Sequence, residues 1–120
     1  MEYLLLIYED EAVRKSMSPD ALAARYEAFD EFTNKVVATG RVVAARPLEM
    51  IDVATSVRVR AGQSVTTDGP FAETKEQLAG FYMLDCDNLD QALDWAAQIP
   101  AAQTGTIEVR PVANHGKDSR

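Results

Sequence analysis

The chain of 120 residues is long enough for one domain and too short for two separate hydrophobic cores. Hydrophobic residues make up 47% and charged residues 26%, which is typical of a globular protein and excludes a disordered or fibrous chain. With 12 basic and 19 acidic residues the net charge is −7, and an acidic surface repels phosphate backbones. We therefore expect no nucleic-acid partner.

Cysteine and histidine each occur once, as Cys86 and His115. One cysteine allows neither an intramolecular disulfide nor a metal site built on paired cysteines, and His115 lies near the C-terminus among small and charged residues. We therefore expect no metal site, no cofactor and no Ser/His/Asp or Cys/His catalytic centre inside the fold. A single domain is expected over residues 1–112, with residues 113–120 as a mobile tail.

The apolar run at the N-terminus covers only residues 3–8 and follows Glu2. It is too short for the core of a signal peptide or for a membrane span, and it lacks a basic start. The sequence therefore predicts a cytoplasmic protein with no membrane partner.

Hydrophobic periodicity predicts two helices. The first has Ser18 as its N-cap, proline at its first helical position and an apolar stripe that ends at Gly40. The second is capped by Asp87 or Asn88 and ends at Pro100.

Short apolar or alternating segments predict four strands, at residues 3–8, 42–45, 80–86 and 106–112. Residues 55–67 also alternate and turn at Gly62-Gln63, which predicts an inserted β-hairpin. Without the hairpin the order is β-α-β-β-α-β. This is the α+β, ferredoxin-like plan, with two helices on one face of an antiparallel sheet.

The two predicted central strands, 3–8 and 80–86, are apolar on both faces. Two helices cover only one face of such a sheet, and each large side chain left in water forgoes roughly 1.5–3 kcal/mol. We therefore expect a homodimer in which a second copy packs sheet to sheet. The alternative, that the hairpin folds over this face, stays open.

A dense polar segment follows the predicted hairpin. Asp68-Gly69-Pro70 is a turn signal, and Glu73 and Lys75 follow within a few residues. If the segment is extended, Glu73 and Lys75 lie on the same side, and such a cluster can tune the proton affinity of a carboxylate. The alternative is a solvated loop whose surface ion pair contributes under about 1 kcal/mol.

The stretch Asp68–Tyr82 resembles the signature of YCII-related proteins of the DGPF type almost letter for letter, and the resemblance covers nearly the whole chain. It implies a dimeric α+β barrel with an active-site cleft lined by this signature. Part of that family resembles a His/Asp enzyme with a histidine on the first helix. Because residues 18–40 contain no histidine, that mechanism cannot be carried over to this chain.

Two functions remain open. The first is a cofactor-independent enzyme acting on a small organic molecule, with Asp68 and Glu73 as catalytic acid/base groups and Lys75 tuning them. The second is a non-catalytic ligand-binding or regulatory module, which the resemblance links to sigma-factor-dependent transcription. For either function, the residues expected to bind the ligand are Tyr8, Arg46, Gly69, Pro70, Phe71 and Tyr82.

Overall fold

The computed structural model describes residues 1–114, so His115 and most of the predicted tail lie outside the described residues. The chain forms an α+β fold with two antiparallel sheets. The main sheet contains β1 (Glu2–Glu9), β2 (Val42–Pro47), β5 (Gln77–Asp85) and β6 (Thr106–Pro111). Its order, β2-β5-β1-β6, is compatible with the ferredoxin-like plan. A second sheet consists of β3 (Thr55–Arg60) and β4 (Gln63–Asp68).

Within residues 1–114, three α-helices accompany these sheets: α1 (Glu11–Lys15), α2 (Pro19–Val37) and α3 (Leu89–Gln98). The Ser18 side chain accepts a hydrogen bond from the backbone N–H of Ala21, so the predicted start of α2 is confirmed. Asn88 rather than Asp87 caps α3. Two short 3-10 turns, Ile51–Val53 and Pro100–Gln103, complete the regular structure.

The turn between β3 and β4 differs from the prediction by one residue. Ala61 and Gly62 occupy it, with φ angles of 51° and 74°, instead of Gly62-Gln63. Two positive φ angles in succession are typical of the tight two-residue hairpin turn whose twist matches the twist of the flanking strands. Glycine adopts this conformation readily, whereas Ala61 does so at some cost in backbone strain.

The hydrophobic core lies between the helices and one face of the main sheet. On β1, alternate residues Tyr3, Leu5 and Ile7 are buried, and on β5 the buried residues are Tyr82 and Leu84. The helices contribute one large aromatic side chain and three smaller ones to the same cluster: Phe32, Val36, Ala92 and Ala96. Burial of each large apolar side chain favours folding by roughly 1.5–3 kcal/mol.

The opposite face of the main sheet is also apolar at its centre and carries no helix. Its half-buried side chains come from β1 and β5: Leu4, Leu6, Tyr8, Phe81 and Met83. The residues of β3 and β4 are exposed, except half-buried Ser56, so this hairpin does not cover the face. Within residues 1–114, no helix is long and apolar enough to cross a membrane.

Candidate ligand-binding cleft

A cleft of about 320 Å³ opens between α2 and the ends of β1, β2 and β5. Aromatic and aliphatic residues form part of its lining, and charged residues of four elements, β1, α1, α2 and β2, also line it. The residues that line it include Glu9, Arg14, Arg25, Tyr26, Phe29, Asp30, Thr33, Ala45, Arg46, Phe81 and Tyr82. The volume suits a small organic molecule.

A buried ion pair joins the sheet to α2 at this cleft. Alternation along β1 places Glu9 on the helix-covered face, and the two Arg25 terminal nitrogens donate to its two carboxylate oxygens at 2.6 and 2.5 Å. Only 7% of the Glu9 side chain and 14% of the Arg25 side chain are exposed. The guanidinium also lies 4.9 Å from the ring centroid of Phe29. This bidentate geometry holds Arg25 in one orientation and balances its charge.

A pair of hydroxyl groups forms a second polar feature of the cleft. The Tyr82 hydroxyl and Thr33 Oγ1 are 2.6 Å apart, and either oxygen can be the donor. An edge-to-face contact with Phe32, at 5.2 Å between ring centroids, positions the Tyr82 ring. Because the two groups share one hydrogen bond, one of the two O–H groups is left to donate to a ligand.

Burial raises the pKa of Tyr82 above its usual value of 10.0. The hydrogen bond from Thr33 acts in the opposite direction, and the nearby charge of Asp30 adds a smaller increase in the pKa. Tyr82 therefore remains a neutral hydroxyl donor at physiological pH.

The charges that line the cleft have an excess of one positive charge. Arg14, Arg25 and Arg46 line it together with two carboxylates, Glu9 and Asp30. Glu9 balances the charge of Arg25, so the two positive charges of Arg14 and Arg46 exceed the single negative charge of Asp30. Arg46 also donates to the backbone oxygen of Ala45 at 2.7 Å. The residues that line the cleft therefore carry a net positive charge, although the chain as a whole has a net charge of −7.

Three of the residues predicted from the sequence lie in the main sheet. Arg46 and Tyr82 line the cleft together. Tyr8 is half-buried on the helix-free face, where it pairs with Thr106 of β6. The structure therefore brings two of the three together.

The remaining predicted residues lie in or beside the segment between β4 and β5. Asp68 ends β4, and Glu73 and Lys75 are exposed in irregular chain, as is Phe71, whose exposed fraction is 79%. Gly69 and Pro70 line a shallower depression beside α1. These residues do not reach the cleft in the chain as described. The catalytic roles of Asp68, Glu73 and Lys75 stay predictions.

Two hydrogen bonds of Gly69, a residue of the signature, join the two ends of the β3–β4 hairpin at its base. The Gly69 N–H, at a φ of 95°, donates to the backbone oxygen of Ala54 at 2.7 Å, and Ser56 Oγ donates to the Gly69 oxygen at 2.8 Å. Gly69 favours this left-handed conformation because it has no Cβ. These bonds close the base of the hairpin.

A second set of bonds ties the signature to α1. The Gln77 side chain accepts from the Glu11 N–H at 2.9 Å, and the buried Glu11 carboxylate accepts from the Ile51 N–H at 3.0 Å. Together these contacts fix the positions of α1, the 3-10 turn Ile51–Val53 and the start of β5 relative to one another.

Sequence reasoning did not identify Glu9, Arg14, Arg25 or Thr33 as site residues. One signal was available for Arg25, because it lies three residues after Leu22 and four before Phe29, on the apolar stripe of α2. A matching carboxylate, Glu9, continues the buried alternation of β1. Because charged side chains are seldom buried without a partner, one charged residue on each of two buried faces indicates that the two form an ion pair.

Potential metal ligands do not cluster: residues 1–114 contain no group of three or more His, Cys, Asp or Glu side chains placed to hold an ion.

Comparison with known proteins identifies the family. Residues 1–115 match the family model of the YCII-related domain. A protein of Rhizobium meliloti (strain 1021), described as "Uncharacterized protein R00369", is 40% identical over 115 residues, which cover 94% of this chain and 93% of that protein. The chain belongs to the YCII-related family, so the predicted membership of this family is confirmed.

Proposed function

We propose that this YCII-related domain binds a small organic anion in the cleft between α2 and the main sheet. The observation that carries the proposal is the lining of the cleft. Apolar rings lie beside two arginines whose charge is only partly balanced by a single carboxylate, Asp30. Ligand sites in proteins commonly combine a mostly apolar wall with a few well-placed polar groups.

Each part of the cleft has a role in this proposal. Arg14 and Arg46 attract the anionic group, and Tyr26 and Phe29 contact the apolar body of the ligand. The hydroxyl pair supplies a donor for an acceptor atom of the ligand. Arg25 is a positioning residue, because its bond to Glu9 braces α2 against β1.

Of the acidic groups that line the cleft, Glu9 and Tyr82 are poorly suited to act as a base, which leaves the Asp30 carboxylate. Both oxygens of Glu9 are bonded to Arg25, and the raised pKa of Tyr82 keeps the proton on its hydroxyl. A general base must be able to accept a proton at the working pH. Binding of the ligand is a step that an enzyme and a sensor share, so both hypotheses from the sequence contain it.

Enlarging a side chain inside the cleft tests this function. Ala45 lies on the helix-covered face of β2, opposite Tyr82, and lines the cleft. We expect Ala45→Phe to weaken binding of small aromatic and aliphatic carboxylates by about tenfold or more, which corresponds to about 1.4 kcal/mol. Isothermal titration calorimetry gives the dissociation constants, and thermal melts confirm that the variant folds.

The matched control is Ala24→Phe, an equal enlargement at an exposed position of α2, which should leave binding unchanged. The primary amides of the same carboxylates keep their shape and lose their charge, and they should bind at least about tenfold more weakly. Equal affinity of acids and amides would contradict the anion proposal. Undiminished binding by Ala45→Phe would place the site elsewhere.

We also propose that the domain is a homodimer, joined through the helix-free face of the main sheet. The supporting observation is the apolar centre of that face, where Leu4, Leu6 and Phe81 are half-buried without a helix above them. Covering them with a second copy removes apolar surface from water, and a two-fold axis lets one patch serve both partners. A sedimentation-equilibrium mass of twice 13.2 kDa is expected.

A further inference from the structure

The β3–β4 hairpin, residues 55–68, is here termed the arm. It pairs from Thr55 opposite Asp68 to Arg60 opposite Gln63, and it shares no strand pairing with the main sheet. Its valines are strongly exposed: 63% for Val57, 62% for Val59 and 49% for Val65. An isolated two-stranded hairpin is marginally stable in water, so a surface that covers the arm would stabilise it.

The arm begins from a fixed base. The hydrogen bonds of Gly69 to Ala54 and of Ser56 to Gly69 close its root, and Glu11 holds the preceding 3-10 turn. Strands of this length extend about 20 Å at about 3.3 Å per residue. The whole molecule is correspondingly thin and wide, with extents of 48 × 47 × 18 Å. An arm directed outward in this way is placed to reach beyond its own domain.

The two faces of the arm differ in character. Register places Val57 and Val59 on one face and Arg58 and Arg60 on the other. Between Thr55 and Thr67 the arm contains these two arginines and no acidic residue, although the chain as a whole has a net charge of −7. The arm as a whole is therefore basic within an acidic chain, and this difference in charge favours its approach to another copy.

The same chain thus has two uncovered apolar surfaces, the valine face of the arm and the helix-free face of the main sheet. We propose that the arm of each copy packs Val57 and Val59 against a second copy, in the homodimer proposed above, on which this inference rests. One two-fold symmetric partner covers both surfaces at once. The arginines of the arm also reduce the repulsion between two acidic chains.

The experiment measures dimerisation of the full chain by sedimentation equilibrium. Val57→Ser combined with Val59→Ser should raise the dimer dissociation constant by about tenfold or more, because the contact loses two apolar side chains. Val65→Ser is the matched control: it makes the same replacement on the opposite face of the arm and should have little effect. Because these positions are exposed, the substitutions leave the core intact, and the thermal melts of the variants and the wild-type protein at low concentration should coincide.

Hydrogen exchange gives a second readout. Amides of β3 and β4 should exchange rapidly when the wild-type protein is diluted to monomers and slowly in the dimer. An unchanged dimer in the double variant, or equal exchange in monomer and dimer, would overturn the arm contact and leave the homodimer standing. A wild-type chain that stays monomeric at high concentration would overturn both.

Discussion

Replacing Arg25 by methionine is expected to lower the free energy of unfolding by about 3–5 kcal/mol, because the substitution leaves the Glu9 carboxylate buried without its partner. Glu9 is 7% exposed at its side chain, and both of its oxygens accept hydrogen bonds from Arg25. Because methionine retains much of the length and packing of arginine, the decrease in the free energy of unfolding measures mainly the effect of removing the positive charge. Urea unfolding of the two proteins measures the difference.

Two further variants separate the ion pair from the cleft around it. Arg14→Met removes a half-buried arginine of the same cleft for which the described residues show no ion pair, and it should cost under about 1 kcal/mol. The double variant Glu9→Met, Arg25→Met removes both charges and should be more stable than Arg25→Met alone, since no unpaired charge stays buried. If Arg25→Met costs no more than Arg14→Met, the buried pair does not stabilise the fold as described.

Gly105→Ala should destabilise the protein by about 3 kcal/mol or more, the upper range for overpacking. Gly105 lies just before β6, and a Cβ on it would overlap the backbone oxygen of Tyr8 and approach the Ala101 oxygen to 3.3 Å. The Gly105 N–H already donates to that Ala101 oxygen at 2.7 Å, so the chain cannot move aside without losing the bond. Thermal and urea unfolding both measure the loss.

The control for this substitution is Gly40→Ala. Gly40 has a φ of 75°, and a Cβ there would meet no atom within 4 Å. Only the left-handed backbone conformation opposes alanine at this position, at about 1–2 kcal/mol. A similar cost for the two variants would mean that β1 and β6 are not held as closely at Gly105 as the structure shows.

Local signals predicted most of the fold. Ser18 followed by proline gave the start of α2, because capping and the φ of proline are properties of neighbouring residues. Short apolar runs predicted the central strands at residues 3–8 and 80–86, and the observed strands cover Glu2–Glu9 and Gln77–Asp85. Helix α1 was missed because five residues are too few to show a period.

The cleft was harder to predict because its groups are separated along the chain. Glu9 and Arg25 are 16 residues apart, and Thr33 and Tyr82 are 49 apart, so only the packing of α2 on the sheet brings each pair together. The signature is compact in sequence and therefore easier to notice. Its Gly69 and Gln77 bond to the hairpin root and to α1, contacts that spacing alone does not reveal.

The central claim is that the cleft beside α2, rather than the exposed signature segment, binds the ligand. Its most direct test is a titration of isotope-labelled protein with the tightest-binding carboxylate of the series, followed in two-dimensional amide spectra. We predict the largest shift changes at amides around the cleft, including Phe29, Thr33 and Tyr82. Changes confined to residues 68–76, with the amides of α2 and β2 unmoved, would contradict the account.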